Sequence, residues 1–121
     1  MHHLVLQISD NSAQKMNTVL NVAANVSRYY TAKGDEIEIE IVAFNQGLHM
    51  LRSDTSPVKG RIGNFAKSMS NVSFLACENT MKGMAKKEGK MPPILDFAKK
   101  VPAGVVRIME RNEEGWTVIR P

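Results

Sequence analysis

Short apolar segments alternate with amphipathic segments along this chain, and this alternation constrains the fold more than any other feature. Residues 3–9 are mostly apolar and predict a strand, whereas residues 13–30 carry apolar side chains at spacings of three and four and predict a helix. The same order continues with strands predicted at 36–44 and 72–76 and helices at 58–69 and 79–87. Strands that alternate with helices pair in parallel, and the helices cover both faces of the sheet.

The remaining segments predict shorter elements. Residues 48–51 and 94–100 predict short helices, Val105–Met109 predicts a fourth strand, and Trp116–Ile119 predicts an edge strand that stops at Pro121. The chain therefore predicts an α/β fold, a three-layer flavodoxin-like or Rossmann-like domain with a mostly parallel sheet of about five strands. Its 121 residues fit one domain spanning 1–121, and no linker divides it.

Composition and charge exclude several classes of protein. Hydrophobic residues make up 43% and charged residues 23% of the chain, which is typical of a globular domain and not of a disordered one. The net charge is +4, but the basic residues are spread along the chain and aromatic residues are only 6%, so we expect no nucleic-acid partner. We also expect no membrane partner and no signal peptide, because no apolar run is long enough and the first eight residues lack a basic leader.

Four loops are predicted at the carboxyl ends of strands, where α/β domains usually bind ligands. They contain residues 9–11, 45–47, 77–80 and 110–111, which would bring Asp10 to the same edge as the other polar residues. The first loop lacks the glycines of a dinucleotide fingerprint, so we expect no nucleotide cofactor. The three histidines form no ligand pair at helical spacing, and we expect no metal site.

Cys77 is the only cysteine, and it lies where a predicted strand gives way to a predicted helix. Helix N-termini present unpaired N–H groups and a partial positive charge, which stabilise a thiolate. The sequence therefore predicts a reactive thiol, with Asn45, Asn79 and Thr80 as candidate hydrogen-bond donors around it. His49, the only internal histidine, is the candidate base for a thiol-dependent enzyme. Without a demonstrated base, the thiol suits persulfide transfer better than hydrolysis.

Each candidate residue also has a structural interpretation, and the sequence leaves both interpretations open. A lone cysteine is often a small core residue, Asn79 and Thr80 can cap the following helix, and His49 can be an exposed helix residue. The alternative function is a non-catalytic module that binds a small anionic ligand or a protein, with an incidental cysteine.

A resemblance to a known family is carried by residues 41–51 (IVAFNQGLHML), by residues 72–81 (VSFLACENTM) and by a tail made of residues 101–110 and 115–121. In combination they resemble the DsrE/DsrF-like family of small flavodoxin-like proteins, which includes sulfur-relay subunits. The resemblance implies that Cys77 occupies the position of the sulfur-accepting cysteine, with Asn45 and Gly47 in the neighbouring loop. In the sulfur-relay subunits that cysteine precedes a small-residue helix ending in Arg-Gly. Residues 78–83 (ENTMKG) differ from it and are similar to the less characterised branch.

The resemblance also implies a function and partners. It implies a sulfur-trafficking protein without a cofactor, in which Cys77 accepts and donates sulfur as a persulfide within a homo-oligomer, a trimer or a hexamer. Sulfur-donor and sulfur-acceptor proteins would be its partners. Family members occur in the cytoplasm and some relatives carry export leaders, so the expected location is cytoplasmic, or periplasmic where a leader is removed. The predicted site comprises the sulfur acceptor Cys77 and the ligand-binding residues Asp10, Asn45, Gly47, His49, Asn79 and Thr80.

Overall fold

The computed structural model describes residues 1–121 and contains five strands, four α-helices and one 3₁₀ helix. In chain order the elements are β1 (His2–Ile8), α1 (Ala13–Ala32), β2 (Ile37–Ala43), the 3₁₀ helix (Asn45–Leu51), α2 (Lys59–Ser68), β3 (Val72–Cys77), α3 (Glu78–Glu88), β4 (Lys99–Val101), α4 (Gly104–Glu113) and β5 (Thr117–Ile119). All neighbouring strands pair in parallel, in the order β4-β3-β2-β1-β5. The predicted α/β fold with a five-stranded, flavodoxin-like sheet is confirmed.

The main hydrophobic core lies on the face of the sheet that α1, α2, α3 and the 3₁₀ helix cover. Alternate residues of the central strands point into it, as the period of two in a strand requires. Helical residues at spacings of three and four meet them, and the largest fully buried examples include Leu6, Met16, Leu20, Ile41 and Ile62. The three long helices that the sequence predicts therefore all form, and all lie on one face.

The opposite face of the sheet has a smaller core of five buried residues. They come from four strands and from the segment before β5, namely Val5, Val42, Leu75, Val101 and Trp116. Helix α4 packs against this face, so the domain has helices on both sides of the sheet and three layers. The first residue of α4, Gly104, lies over the carboxyl end of β3.

Two predictions in the last third of the chain are wrong. Residues 105–109 lie in α4 and do not form a strand. Residues 94–100, which predict a short helix, form no helix, and the fourth strand is Lys99–Val101 at the end of that segment. A parallel strand beginning at residue 105 would need a crossover of a dozen or more residues after β4. Only residues 102–104 follow β4 before that point, so the backbone turns directly into a helix.

A further difference concerns the strand predicted at 36–44, where glutamates alternate with isoleucines over residues 36–40, a pattern typical of a strand with one solvent-facing side. Glu38 faces solvent, but Glu40 is only 7% exposed. It lies under α4, where Arg107 and Arg111 pair with its carboxylate. The strand pattern alone does not reveal which part of an outward face another element will cover.

Candidate functional site at Cys77

Cys77 is the last residue of β3 and the N-cap residue of α3. Its side chain lies on the α4 face of the sheet, because its neighbour in the parallel register is Val101, a member of the smaller core. The residue is 5% exposed. The predicted placement at a strand-to-helix junction is therefore correct, and the residue is more buried than a freely accessible thiol.

Polar groups from the first turns of two helices act on the pKa of the Cys77 thiol. Burial raises the pKa of Cys77, but donation from the Thr80 hydroxyl and from the backbone N–H groups of Gly104, Thr80 and Asn79 outweighs it and leaves the pKa below its ordinary value. These N–H groups belong to the first turns of α3 and α4. Two helix N-termini thus converge on one sulfur, and both favour its ionised form.

Helix α4 approaches Cys77 so closely because it begins with glycine. A Cβ atom added to Gly104 would lie 3.1 Å from the Cβ of Phe44, 3.2 Å from Cγ1 of Val42 and 3.3 Å from the Cβ of Cys77. All three distances are shorter than the usual carbon–carbon contact of about 3.5–4.0 Å. A side chain at this position would push the helix away from the sheet and move its N–H from the sulfur.

Thr80 links Cys77 to the neighbouring loop. Its Oγ1 accepts a hydrogen bond of 2.9 Å from the backbone N–H of Asn45, and the same hydroxyl lowers the pKa of Cys77. Asn45 has a positive φ of 52°, a conformation that asparagine tolerates better than most residues. Of the residues predicted as donors to the thiol, Thr80 lowers the pKa of Cys77 through its hydroxyl and its backbone N–H. Asn45 bonds to Thr80 and does not contact the thiol through a hydrogen bond of its own.

A polar cleft of about 320 Å³ lies beside Thr80, between the 3₁₀ helix and α3. Its lining is polar with one apolar residue, and comprises Asn45, Gln46, His49, Thr80, Gly83, Met84, Lys87 and Glu88. Cys77 does not line this cleft, whereas Thr80 both lines it and acts on the thiol. The structure therefore brings Asn45, His49 and Thr80 together at one cleft, as the loop positions predict.

The predicted base, His49, is engaged elsewhere. Its Nδ1 lies 2.8 Å from Oγ1 of Thr55, and it is absent from the groups that perturb the pKa of Cys77. The structure therefore gives no Cys–His pair of the kind that a thiol-dependent enzyme uses. Asn79 contributes its backbone: its N–H donates to the carbonyl oxygen of Pro102 at 3.3 Å, and its side chain is exposed.

Gly47 and Asp10 lie apart from the thiol. A Cβ at Gly47 would lie 2.1 Å from the carbonyl oxygen of Ile8, so this glycine allows the 3₁₀ helix to pack on the end of β1. Asp10 follows β1 and pairs with Lys15, which lowers the pKa of its carboxyl group. Strand β2 separates β1 from β3, which places their ends roughly 10 Å apart.

Sequence reasoning missed the contribution of α4 to this site. The loop at 110–111, predicted to follow a strand at the carboxyl edge, is instead part of α4, and Arg111 pairs with Glu40. The contributing residue is Gly104, which begins α4. The available signal was the i, i+4 spacing of Arg107 and Arg111, which suits one face of a helix.

Two general features complete the description of the molecule. No group of three or more His, Cys, Asp or Glu side chains is arranged to hold a metal ion. No helix combines the length and the apolar character that crossing a bilayer requires.

The fold and the site define a small flavodoxin-like α/β domain with a single cysteine at the carboxyl edge of its sheet. No protein-family model matches the chain, and no curated protein matches it significantly. It is similar to a solved structure, the protein of unknown function MTH1491 from Methanobacterium thermoautotrophicum, with 30% sequence identity, a TM-score of 0.77 and 100% coverage of both chains. The chain belongs to the same family as MTH1491.

Proposed function

We propose that this protein carries sulfur as a persulfide on Cys77. The observation that carries the proposal is that Cys77 caps the start of α3 while Gly104, the first residue of α4, lies against its Cβ. N–H groups at helix N-termini stabilise the thiolate that attacks a donor and the persulfide anion that results. The resemblance to the DsrE/DsrF-like family supports the same role for Cys77.

The transfer step is a thiol–disulfide-type exchange. The Cys77 thiolate attacks the terminal sulfur of a donor persulfide, R–S–SH, and a new sulfur–sulfur bond forms. The original bond breaks, and the donor leaves as the thiolate R–S⁻ with the electron pair. The product, Cys77–S–SH, passes its outer sulfur to an acceptor thiolate by the same reaction, so no net oxidant or reductant is needed.

Burial of Cys77 at 5% exposure determines how the donor reaches it. The donor approaches from the side of Thr80, which lines the polar cleft and acts on the thiol. We propose that a homo-oligomer, a trimer or a hexamer, presents this edge to donor and acceptor proteins. We place the protein in the cytoplasm, where a lone thiol stays reduced.

The test is mass spectrometry of the intact protein after treatment with a low-molecular-weight persulfide. The wild type is expected to gain one sulfur atom and to lose it again on addition of an acceptor thiol. Cys77→Ser is the matched control, because it keeps the size of the side chain and is expected to gain none. Absence of sulfur on the wild type, or its presence on the serine variant, would contradict the proposal.

The polar cleft favours a second candidate function, a module that binds a small polar ligand. Its volume of about 320 Å³ lies in the range of small-molecule sites, and Lys87 and His49 provide donors for an anionic group. In that case Cys77→Ser binds small anions as the wild type does, whereas Lys87→Ala binds them more weakly. Isothermal titration with thiosulfate and with sulfate compares the two variants directly.

A further inference from the structure

Helix α4 is tied to the sheet by one buried carboxylate. Glu40 in β2 accepts hydrogen bonds from Arg107 through Nε at 3.1 Å and Nη2 at 2.8 Å. It accepts two more from Arg111, through Nε at 3.1 Å and Nη2 at 2.8 Å. Because Glu40 is 7% exposed, its charge depends on these arginines to replace water. Charge-assisted, bidentate pairs of this kind also define the geometry of the groups they join.

The same helix begins at the residue that lies against Cys77. Gly104 begins α4 and Arg107 follows one turn later, so a shift of the arginine side of the helix moves Gly104 with it. The contact at that end is close, since a Cβ on Gly104 would lie 3.3 Å from the Cβ of Cys77. Small displacements of α4 therefore change how closely the N–H of Gly104 approaches the sulfur.

Glu40 is too far from the sulfur to act on it by contact. It pairs in register with Ser73, which precedes Cys77 by four residues in β3. At about 3.3 Å per residue, the separation along the strand is roughly 13 Å. Its influence on the thiol must pass through α4 or through the electrostatic field.

We propose that Glu40 is a positioning residue for Cys77: its pairs with Arg107 and Arg111 hold α4 on the sheet so that the N–H of Gly104 stays directed at the sulfur. This inference rests on the proposed function only in taking Cys77 as the reacting group. It assigns a role in the site to a buried ion-pair cluster that otherwise serves only to attach a helix.

The sign of the effect separates positioning from direct electrostatics. Replacing Glu40 by glutamine removes a negative charge and leaves two arginines unbalanced, so the field alone lowers the pKa of Cys77. Loss of the Gly104 hydrogen bond does the opposite, because the thiolate loses a donor. A hydrogen bond to a charged group corresponds to a shift of about one to two pKa units. We expect a net rise of about one unit in Glu40→Gln.

Glu40→Asp provides a test without any change of charge. The side chain is shorter by one methylene group and no longer reaches both guanidinium groups in the same geometry. We expect a rise in the pKa of Cys77 that is smaller than in Glu40→Gln. Because the charge is the same as in the wild type, a change in net charge cannot explain this rise. The matched control is Glu114→Gln, which removes a carboxylate paired with Arg111 at 2.8 Å but outside the contact between α4 and β2. We expect no rise in the control.

The measurement is a pH titration of the ultraviolet absorbance of the thiolate, which needs no reagent to reach the buried sulfur. Cys77→Ser supplies the baseline, because the chain has no other cysteine. Circular dichroism at each pH confirms that the variant is folded, and Glu40→Asp replaces Glu40→Gln if the latter does not fold. An unchanged or lowered pKa in the folded Glu40 variants, or an equal rise in Glu114→Gln, would overturn the inference.

Persulfide loading of the wild type is measured separately, and it tests the proposed function alone. A rise in the thiol pKa of the Glu40 variants without sulfur loading of the wild type supports positioning by Glu40 and rejects sulfur transport. Sulfur loading of the wild type, with no change of the Cys77 pKa in the Glu40 variants, supports sulfur transport and rejects positioning by Glu40.

Discussion

Replacing Gly47 by alanine is expected to destabilise the protein by about 3 kcal/mol. The glycine lies in the 3₁₀ helix, directly against the end of β1. An added Cβ would lie 2.1 Å from the carbonyl oxygen and 2.5 Å from the carbonyl carbon of Ile8. The obstacle is backbone and not a flexible side chain, so the 3₁₀ helix and β1 must separate by more than an ångström before normal contact is restored.

The magnitude follows from two losses. The carbonyl oxygen of Ile8 accepts a hydrogen bond of 3.1 Å from the N–H of Phe44, and a displaced strand end weakens it at a cost of about 1 kcal/mol. Overpacking of a close contact costs a further 1–3 kcal/mol, roughly, when the backbone has to shift. The sum is about 2–4 kcal/mol, a large fraction of the total stability of a domain of this size.

The assay is urea unfolding of the wild type and two variants, with the free energy of unfolding extrapolated to water. Gly63→Ala is the matched control, because Gly63 lies within α2 and nothing lies within 4 Å of an added Cβ. It is expected to gain roughly 0.5–1 kcal/mol from higher helix propensity. A loss below about 1 kcal/mol in Gly47→Ala, with an unchanged m-value, would refute the reasoning.

Three further predictions concern the ends of helices and the buried charges. Ser12→Ala is expected to lose about 1 kcal/mol in urea unfolding, because the Ser12 hydroxyl caps α1 by accepting the N–H of Lys15; an unchanged midpoint would show that the cap adds nothing. Arg52→Met is expected to lose about 1 kcal/mol in the same assay, since Arg52 is 3% exposed and its guanidinium donates to Glu88 and Asp54, whose carboxylates stay in contact with water, whereas equal stability would mean that packing replaces these bonds. Burial raises the pKa of Glu40, but hydrogen bonds from the arginines of α4 together have the larger effect, so the pKa in the folded protein is lower than in the unfolded chain. As pH falls, Glu40 is therefore protonated first in the unfolded chain, and the stability that its ion pairs contribute is lost as the pH falls through the folded-state pKa. The stability of Glu40→Gln is therefore expected to fall less steeply below pH about 4.5 than that of the wild type, and parallel curves would contradict this.

The sequence predicts most of this fold because the strongest signals are local. The helix at 13–32 and the strands around 3–8, 37–43 and 72–77 have apolar periodicities that belong to one type of element each. Their alternation implies a parallel sheet through the rules on crossovers. The position of Cys77 between a strand and a helix is equally local, and the structure confirms it.

The errors come from segments whose local pattern suits two structures. Residues 105–109 are apolar enough for a strand, and the number of residues available for a crossover excludes it only once β4 is placed at 99–101. The burial of Glu40 also depends on the position of α4, because α4 covers only part of its side of the sheet. Alternation shows which way a side chain points and not what lies above it.

The order of residues along the chain was enough to define an α/β domain with a lone thiol at a strand-to-helix junction, because period and neighbouring residues decide both. It could not show that the start of a second helix, 27 residues further on at Gly104, also faces that thiol. That contact depends on how α4 packs across the sheet and on the ion pairs of Glu40, which join residues more than 60 positions apart. Burial and donors around Cys77 are therefore properties of the packed molecule, since they arise from groups that only folding brings together.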